Sequence, residues 1–184
     1  MISRKEALAV VKRLIPEPNL QKHCFATEVV MKALASELGE NEEKWSLTGL
    51  LHDIDYVQTA DNPEKHSLLA AEMLEKMDLP DDVVYAVKVH NEIHGFPRES
   101  MLDKALYAVD PLTGLIVACV LVSPEKKLKS IDTSFILNRF KEKSFAKGAN
   151  REQIATCTDL GFSLEEFTGI GLKAMQSIDE ELGL

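Results

Sequence analysis

The sequence predicts a single all-α domain, and three observations lead there. Apolar residues recur at helical spacing, capping residues punctuate the chain at short intervals, and no run shows sustained period-two alternation with turn chemistry at both ends. With 184 residues, 45% hydrophobic and 28% charged, the chain is long enough for one well-buried core and too short for two ordinary domains.

Ser3 and Glu6 form a capping box that opens a helix through about Leu14, and Pro16 and Pro18 end that segment. Asn19 is expected to cap a helix over Leu20–Leu38, with Val29, Val30, Ala33, Leu34 and Leu38 along its apolar stripe. Gly39 then stands where a left-handed residue is wanted. Asn41, followed by Glu42 and Glu43, starts a third helix running to about Ile54. The polar stretch 58–64 reads as a loop, and helices follow at about Lys65–Met77 and Pro80–His90. Gly95-Phe-Pro-Arg is a turn, and Ser100 caps a helix carrying Leu102, Ala105, Leu106 and Val109. Ser123-Pro124 reads as a cap with proline at the first helical position. Asp132 or Ser134 opens the segment around Phe135, Leu137 and Phe140, and Asn150 with Gln153 and Ser163 with Glu166 make two further capping boxes.

Thirty acids against twenty-one bases give a net charge of -9. No excess of cations is available to displace counterions, so neither a nucleic-acid polymer nor an acidic membrane is expected as a partner; a local basic pocket for a small phosphorylated substrate is still allowed. Cys24, Cys119 and Cys157 form no CxxC pair and read as buried hydrophobes. The start Met-Ile-Ser-Arg-Lys-Glu has no signal-peptide layout, and the longest apolar stretch, around Leu115–Val122, is too short for a bilayer. A cytoplasmic, reducing location is the expectation.

Chemistry concentrates in the histidines at 23, 52, 66, 90 and 94, four of them between 52 and 94. Adjacent helical residues point about 100° apart, so His52 and Asp53 can grip one cation only near a groove between helices, with Asp53 free to bridge to a second. Alone, the dipeptide more often marks a structural histidine beside a surface acid. Asp110 ends the apolar run Ala105-Leu-Tyr-Ala-Val, and a buried acid there needs a metal or cation partner. Because Pro111 follows, Asp110 also reads as an N-cap or as the site of a kink. His66 reads alternatively as a solvated first-turn residue and His90 as a cation at a helix C-terminus. His94 would share a face with His90 in a continuing helix, which Gly95 argues against.

In order, His23, His52-Asp53 and Asp110 resemble the H…HD…D pattern of the HD superfamily of metal-dependent phosphohydrolases. Lys104-Ala-Leu-Tyr-Ala-Val-Asp110 is similar to a stretch of the bacterial diadenosine tetraphosphate hydrolase branch. The resemblance implies a helical HD bundle with its metal site between central helices, a core over about 20–122 and a helical extension over about 123–184. It implies that His23, His52, Asp53 and Asp110 hold one metal, and that His66, His90 and Asp53 serve a second. One or two divalent ions of iron, manganese, zinc, nickel or cobalt suit such a mixed N/O set. The implied activity is hydrolysis of a phosphate ester or anhydride of a nucleotide or another small phosphorylated metabolite. Asp53 would ligate or bridge, and Lys104 is the best cation for a phosphate oxygen. Lys65, Lys88 and Arg98 are weaker candidates for that role, and His94 is a substrate contact, a support for a ligand or a ligand itself. The chain departs from its relatives in lacking a lysine shortly after the HD pair and in reducing a Gly-Tyr-Pro-type sequence to Gly95-Phe-Pro97. Asp55 either orients a ligand histidine or is solvated. Two other readings compete: a di-iron HD oxygenase, and a metal-binding regulatory domain without catalysis.

Overall fold

A computed structural model of the protein describes residues 2–184. Ser3 closes its capping box on Glu6 and starts α1 (Arg4–Leu14). Helix α2 (Pro18–Leu38) begins one residue before the expected cap, with Pro18 at the first position and Glu17 outside it; Gly39 ends it at φ 70°. Helix α3 (Glu42–Leu51) is capped by the Asn41 side chain and stops at Leu51, short of Ile54. A tight turn then carries residues 52–55 into the short α4 (Tyr56–Thr59), within the stretch expected to be loop.

Helix α5 spans only Leu68–Glu75, because the chain kinks ahead of it with Ser67 at φ 73°. Helix α6 (Asp81–Val89) follows, and α7 (Met101–Val122) opens with a capping box between Ser100 and Asp103. The Ser123-Pro124 pair starts no helix: Ser123 closes α7 instead, its amide reaching back to the Val120 carbonyl. The remaining helices are α8 (Thr133–Phe140), capped by Asp132, α9 (Arg151–Ala155), α10 (Leu164–Gln176) and α11 (Asp179–Leu182).

Helix α7 is the axis. It packs against α2, α6, α9 and α10, and buries residues as far apart as Leu102 and Val120. By length and composition it is apolar enough to cross a membrane, longer than the apolar stretch the sequence pattern delimits. Helix α2 lies against α3 so closely that a Cβ on Gly49 would come within 2.8 Å of the Thr27 carbonyl oxygen and 2.9 Å of the Glu28 amide. Only glycine permits that approach. Below it, Arg4 grips buried Glu28 through two hydrogen bonds of 2.6 and 2.9 Å, and Ser46 donates a third to the same carboxylate. One contiguous set of buried side chains runs from Ala7 to Leu182 and takes in all three cysteines as free thiols.

Pro111 lies inside α7, so Asp110 is neither a cap nor at a helix start. A proline at this position removes the amide that would have bonded the Tyr107 carbonyl four residues back. The Gln153 side chain, on α9, supplies the missing donor at 2.8 Å. That contact takes Gln153 out of the expected capping box; Asn150 alone caps α9. Gln153→Leu should therefore cost about 1–3 kcal/mol in denaturant unfolding, the penalty of an orphaned carbonyl. Combined with Pro111→Ala, which restores the helical amide, the same change should cost much less, and equal costs in both backgrounds would refute the compensation.

Candidate metal centre

The ends of α3 and α6 supply two of the histidines, and the same physical need places both. The last carbonyls of a helix lack intrahelical donors. At the end of α3 the His52 ring turns back and its Nδ1 bonds the Gly49 carbonyl at 2.8 Å; at the end of α6, His90 Nδ1 bonds the Val87 carbonyl at 2.6 Å. Each bond holds the proton on Nδ1 and leaves Nε2 as the free donor atom. His23, early in α2, has its Nδ1 3.1 Å from the Thr113 hydroxyl, which itself donates to the Asp110 carbonyl. His66 Nδ1 bonds Asp55 at 2.9 Å. All four rings thus have an outer partner on Nδ1 and face one another edge-on, with successive centroids 5.0–5.3 Å apart in the order His23, His52, His90, His66.

Asp53 sits among them. Its Oδ1 lies 3.4 Å from His52 Nε2, 3.5 Å from His66 Nε2 and 3.6 Å from His90 Nε2, while Oδ2 faces His23 Nε2 at 3.6 Å. Asp110 Oδ1 is 3.0 Å from His23 Nε2 and 3.8 Å from His52 Nε2. Two ligands bound to one ion at about 2.1 Å, at tetrahedral to octahedral angles, stand about 3.0–3.4 Å apart, close to these separations. Two compact triads result, His23–His52–Asp110 and His52–Asp53–His90. They share His52, and Asp53 reaches both sides with its two oxygens. His66 joins through Asp53. His90 Nε2 is buried with no hydrogen-bond partner, the kind of orphan that a cation satisfies. The donor set therefore fits one or two divalent ions. His66 is not a solvated first-turn residue, since its ring is largely buried and bonded to Asp55, while His90 does stand at the C-terminus of α6, with its ring buried.

Asp55 is fully buried and does three jobs. Besides holding His66, its Oδ2 accepts the amides of Ser67 and Ala70 at 2.8 and 2.9 Å, capping α5 from outside. That is why α5 starts at Leu68 and not at Lys65. Thr113, absent from the sequence-based set, was visible only as the residue one turn after Asp110 on the same helix face.

The remaining expected contacts fall elsewhere. His94 Nε2 lies 2.9 Å from the His66 carbonyl, so it buttresses His66 from behind. Lys65 is exposed in a single 3-10 turn. Arg98 stacks 3.6 Å over the Tyr107 ring and, with Lys104, Thr156 and Asp159, lines a separate cleft. Lys88 lies 5.0 Å over the Phe96 ring. The cavity that reaches both His23 and Asp110 is lined further by Pro111, Gly114, Ala146, Gly148, Ala149 and Gln153. It lies on the exposed side of the centre: the His23 and Asp110 side chains are 23% and 30% exposed, against 0% and 2% for His52 and His90.

Residues 20–120 match the HD domain family. The chain belongs to that family. Ribonuclease Y of Desulfotalea psychrophila is 28% identical over 169 residues, 89% of this chain and 32% of that protein. Ribonuclease Y of Lawsonia intracellularis is 30% identical over 96 residues, 52% of this chain and 18% of the relative. Ribonuclease Y of Fusobacterium nucleatum is 30% identical over 137 residues, 73% of this chain and 27% of the relative. The chain thus spans about a third or less of these HD relatives. A match over 89% of it also reaches beyond residue 122. No solved structure matches. Relatives named as ribonucleases overturn the exclusion of nucleic-acid polymers and the expectation of a small phosphorylated partner. A chain-wide net charge averages over the surface, whereas a polyanion responds to the charge near the site it enters. Nor do these relatives support the diadenosine tetraphosphate branch.

Without metal the centre is a network of ion pairs. Burial opposes the His52 imidazolium, but the facing Asp53 and Asp110 carboxylates outweigh it and hold the group up at about 9. Burial likewise opposes ionisation of Asp110, and His23 and His52 overcome it, keeping its carboxyl well below the usual range. Asp53 is depressed in the same way by His52, His90 and His23. The raised His52 contributes stability that is complete below its ordinary 6.5 and lost as pH rises through about 9. The carboxylates contribute above their ordinary 3.8, and lose that contribution as pH falls through their lowered values. Metal-free protein should therefore lose thermal stability between pH 6.5 and 9 while the stabilisation given by added metal grows, because binding displaces protons. A flat melting temperature for the metal-free form across that range would contradict this. Asp55→Asn should weaken metal binding about 10–100-fold in a titration, by releasing His66.

Proposed function

We propose that the centre is the active site of a metal-dependent phosphohydrolase that cleaves phosphodiester bonds in RNA, using two divalent ions. The observation that carries this reading is the convergence of four imidazole Nε2 atoms and two carboxylates, with one buried Nε2 left unpartnered. The ribonuclease relatives support RNA as the substrate. Bound there, divalent ions polarise a phosphoryl oxygen and lower the pKa of a ligated water toward neutrality.

The protein's own part is arrangement. His52 and His90 close the inner side and exclude water, while His23 and Asp110 border the side open to a phosphodiester. Asp53 holds the two halves together through opposite oxygens. Asp110 Oδ1 is engaged by His23 and His52, which fixes this carboxylate at the open edge of the centre. Lys104 lines a different cleft and stands away from the centre.

Metal-reconstituted protein should cleave a labelled single-stranded RNA, contain two ions per chain by elemental analysis, and lose activity with chelator. His52→Ala, which touches both triads, should abolish ion content and cleavage together. His66→Ala should leave one ion. Fully loaded protein that leaves RNA intact would refute the reading.

A further inference from the structure

Charge along the chain is segregated. Residues 126–151 hold eight Lys and Arg against two Asp and Glu, a net +6, leaving thirteen bases against twenty-eight acids, a net -15, in the rest. Not all eight are available. Lys129 pairs with Asp179 at 2.6 Å and Arg139 with Glu142 at 2.9 Å. Arg151 is spent on the backbone: its guanidinium donates to the carbonyls of Phe140, Phe145, Ala146 and Ala149 at 2.5–3.3 Å. Lys126 and Lys127 follow the far end of α7, twelve or more residues past Asp110, roughly 18 Å along the helix. Lys141, Lys143 and Lys147 are exposed and, among the described residues, make no ion pair.

These three ride on the loop that walls the open side of the metal centre. Ala146, Gly148 and Ala149 line the cavity shared with His23 and Asp110, so Lys147 stands at its rim between two lining residues. The loop is held against its own repulsion. Arg151 ties its carbonyls into one knot, and Ala146 keeps a left-handed φ of 44° beneath one of those bonds. A non-glycine residue in that region costs about 1–2 kcal/mol, which the four Arg151 bonds offset. Three exposed, unpaired lysines on one short stretch, with Lys147 at the rim of the cavity, in a chain that is otherwise acidic, have an electrostatic consequence. A polyanion is repelled elsewhere and drawn in along this edge.

We infer that Lys141, Lys143 and Lys147 form the contact track for the backbone of single-stranded RNA, leading it past Ala146 and Gly148 to the metal centre. The inference rests on the RNA reading above. Lysine suits the task because a point charge follows a flexible phosphate chain without demanding one geometry.

The test uses the intact chain made cleavage-deficient by Asp110→Asn, with binding of a fluorescent twelve-nucleotide RNA followed by anisotropy. Replacing all three lysines with alanine should weaken binding on the order of 10-fold or more and lower the slope of log affinity against log salt by about 2. The melting temperature and ion content should stay at the parent values. Arginine at the three positions should restore binding. A matched triple elsewhere, Lys5→Ala with Lys12→Ala and Lys76→Ala, should have a much smaller effect. Equal loss from both triples, or none from the first, would overturn the track while leaving RNA cleavage by the wild type intact. Lysine-dependent capture of anionic vesicles, with RNA bound no better, would also overturn it. Wild-type protein that neither binds nor cleaves RNA would remove the parent reading.

Discussion

Asp53 is the group on which the rest of the architecture depends. A carboxylate buried among four imidazoles is tolerable only if its charge is balanced at short range. Its two oxygens face opposite halves of the centre at 3.4–3.6 Å from four Nε2 atoms. Four separate pieces of chain must therefore meet within a few ångströms of one turn. The glycine contact between α2 and α3 fixes how His52 stands to His23, and the pairing of Arg4 with buried Glu28 braces that contact from below. The ends of α3 and α6 turn a liability, unpaired terminal carbonyls, into the means of orienting the ligand rings.

Much of this was legible in the sequence because it is local. The Ser3 and Ser163 capping boxes follow from three-residue spacing and form as expected, and Ser100 caps its helix as expected. His52-Asp53, His90 and Asp110 stand out because polar residues interrupt apolar helices. What was not legible depends on partners distant along the chain. Asp55 caps a helix twelve to fifteen residues ahead and thereby shifts its start, so a local pattern places that start too early. Thr113 serves a histidine ninety positions away. Lys104 is six residues before Asp110, which on a helix turns it onto another face and into another cleft.

Charge was a different kind of failure. The positive segment is plain in the sequence once a window is used, but the acids around it cancel it in the total. Helices α2 and α7, which carry His23 and Asp110, are covered by the segment after residue 122. That segment contributes a wall to the cavity beside those two residues and, among the described residues, the side-chain donor to the Tyr107 carbonyl.

The pairing of Pro111 with Gln153 bears on how this domain can be recombined. A proline beside Asp110, with its vacated carbonyl served from forty-six residues away, ties the two positions to each other in the fold. A chimaera that grafts the C-terminal helices of a relative onto residues 20–120 inherits an unpaired carbonyl one turn from Asp110 unless position 111 travels with position 153. The domain boundary that matters for transplantation thus lies beyond the span that defines the family.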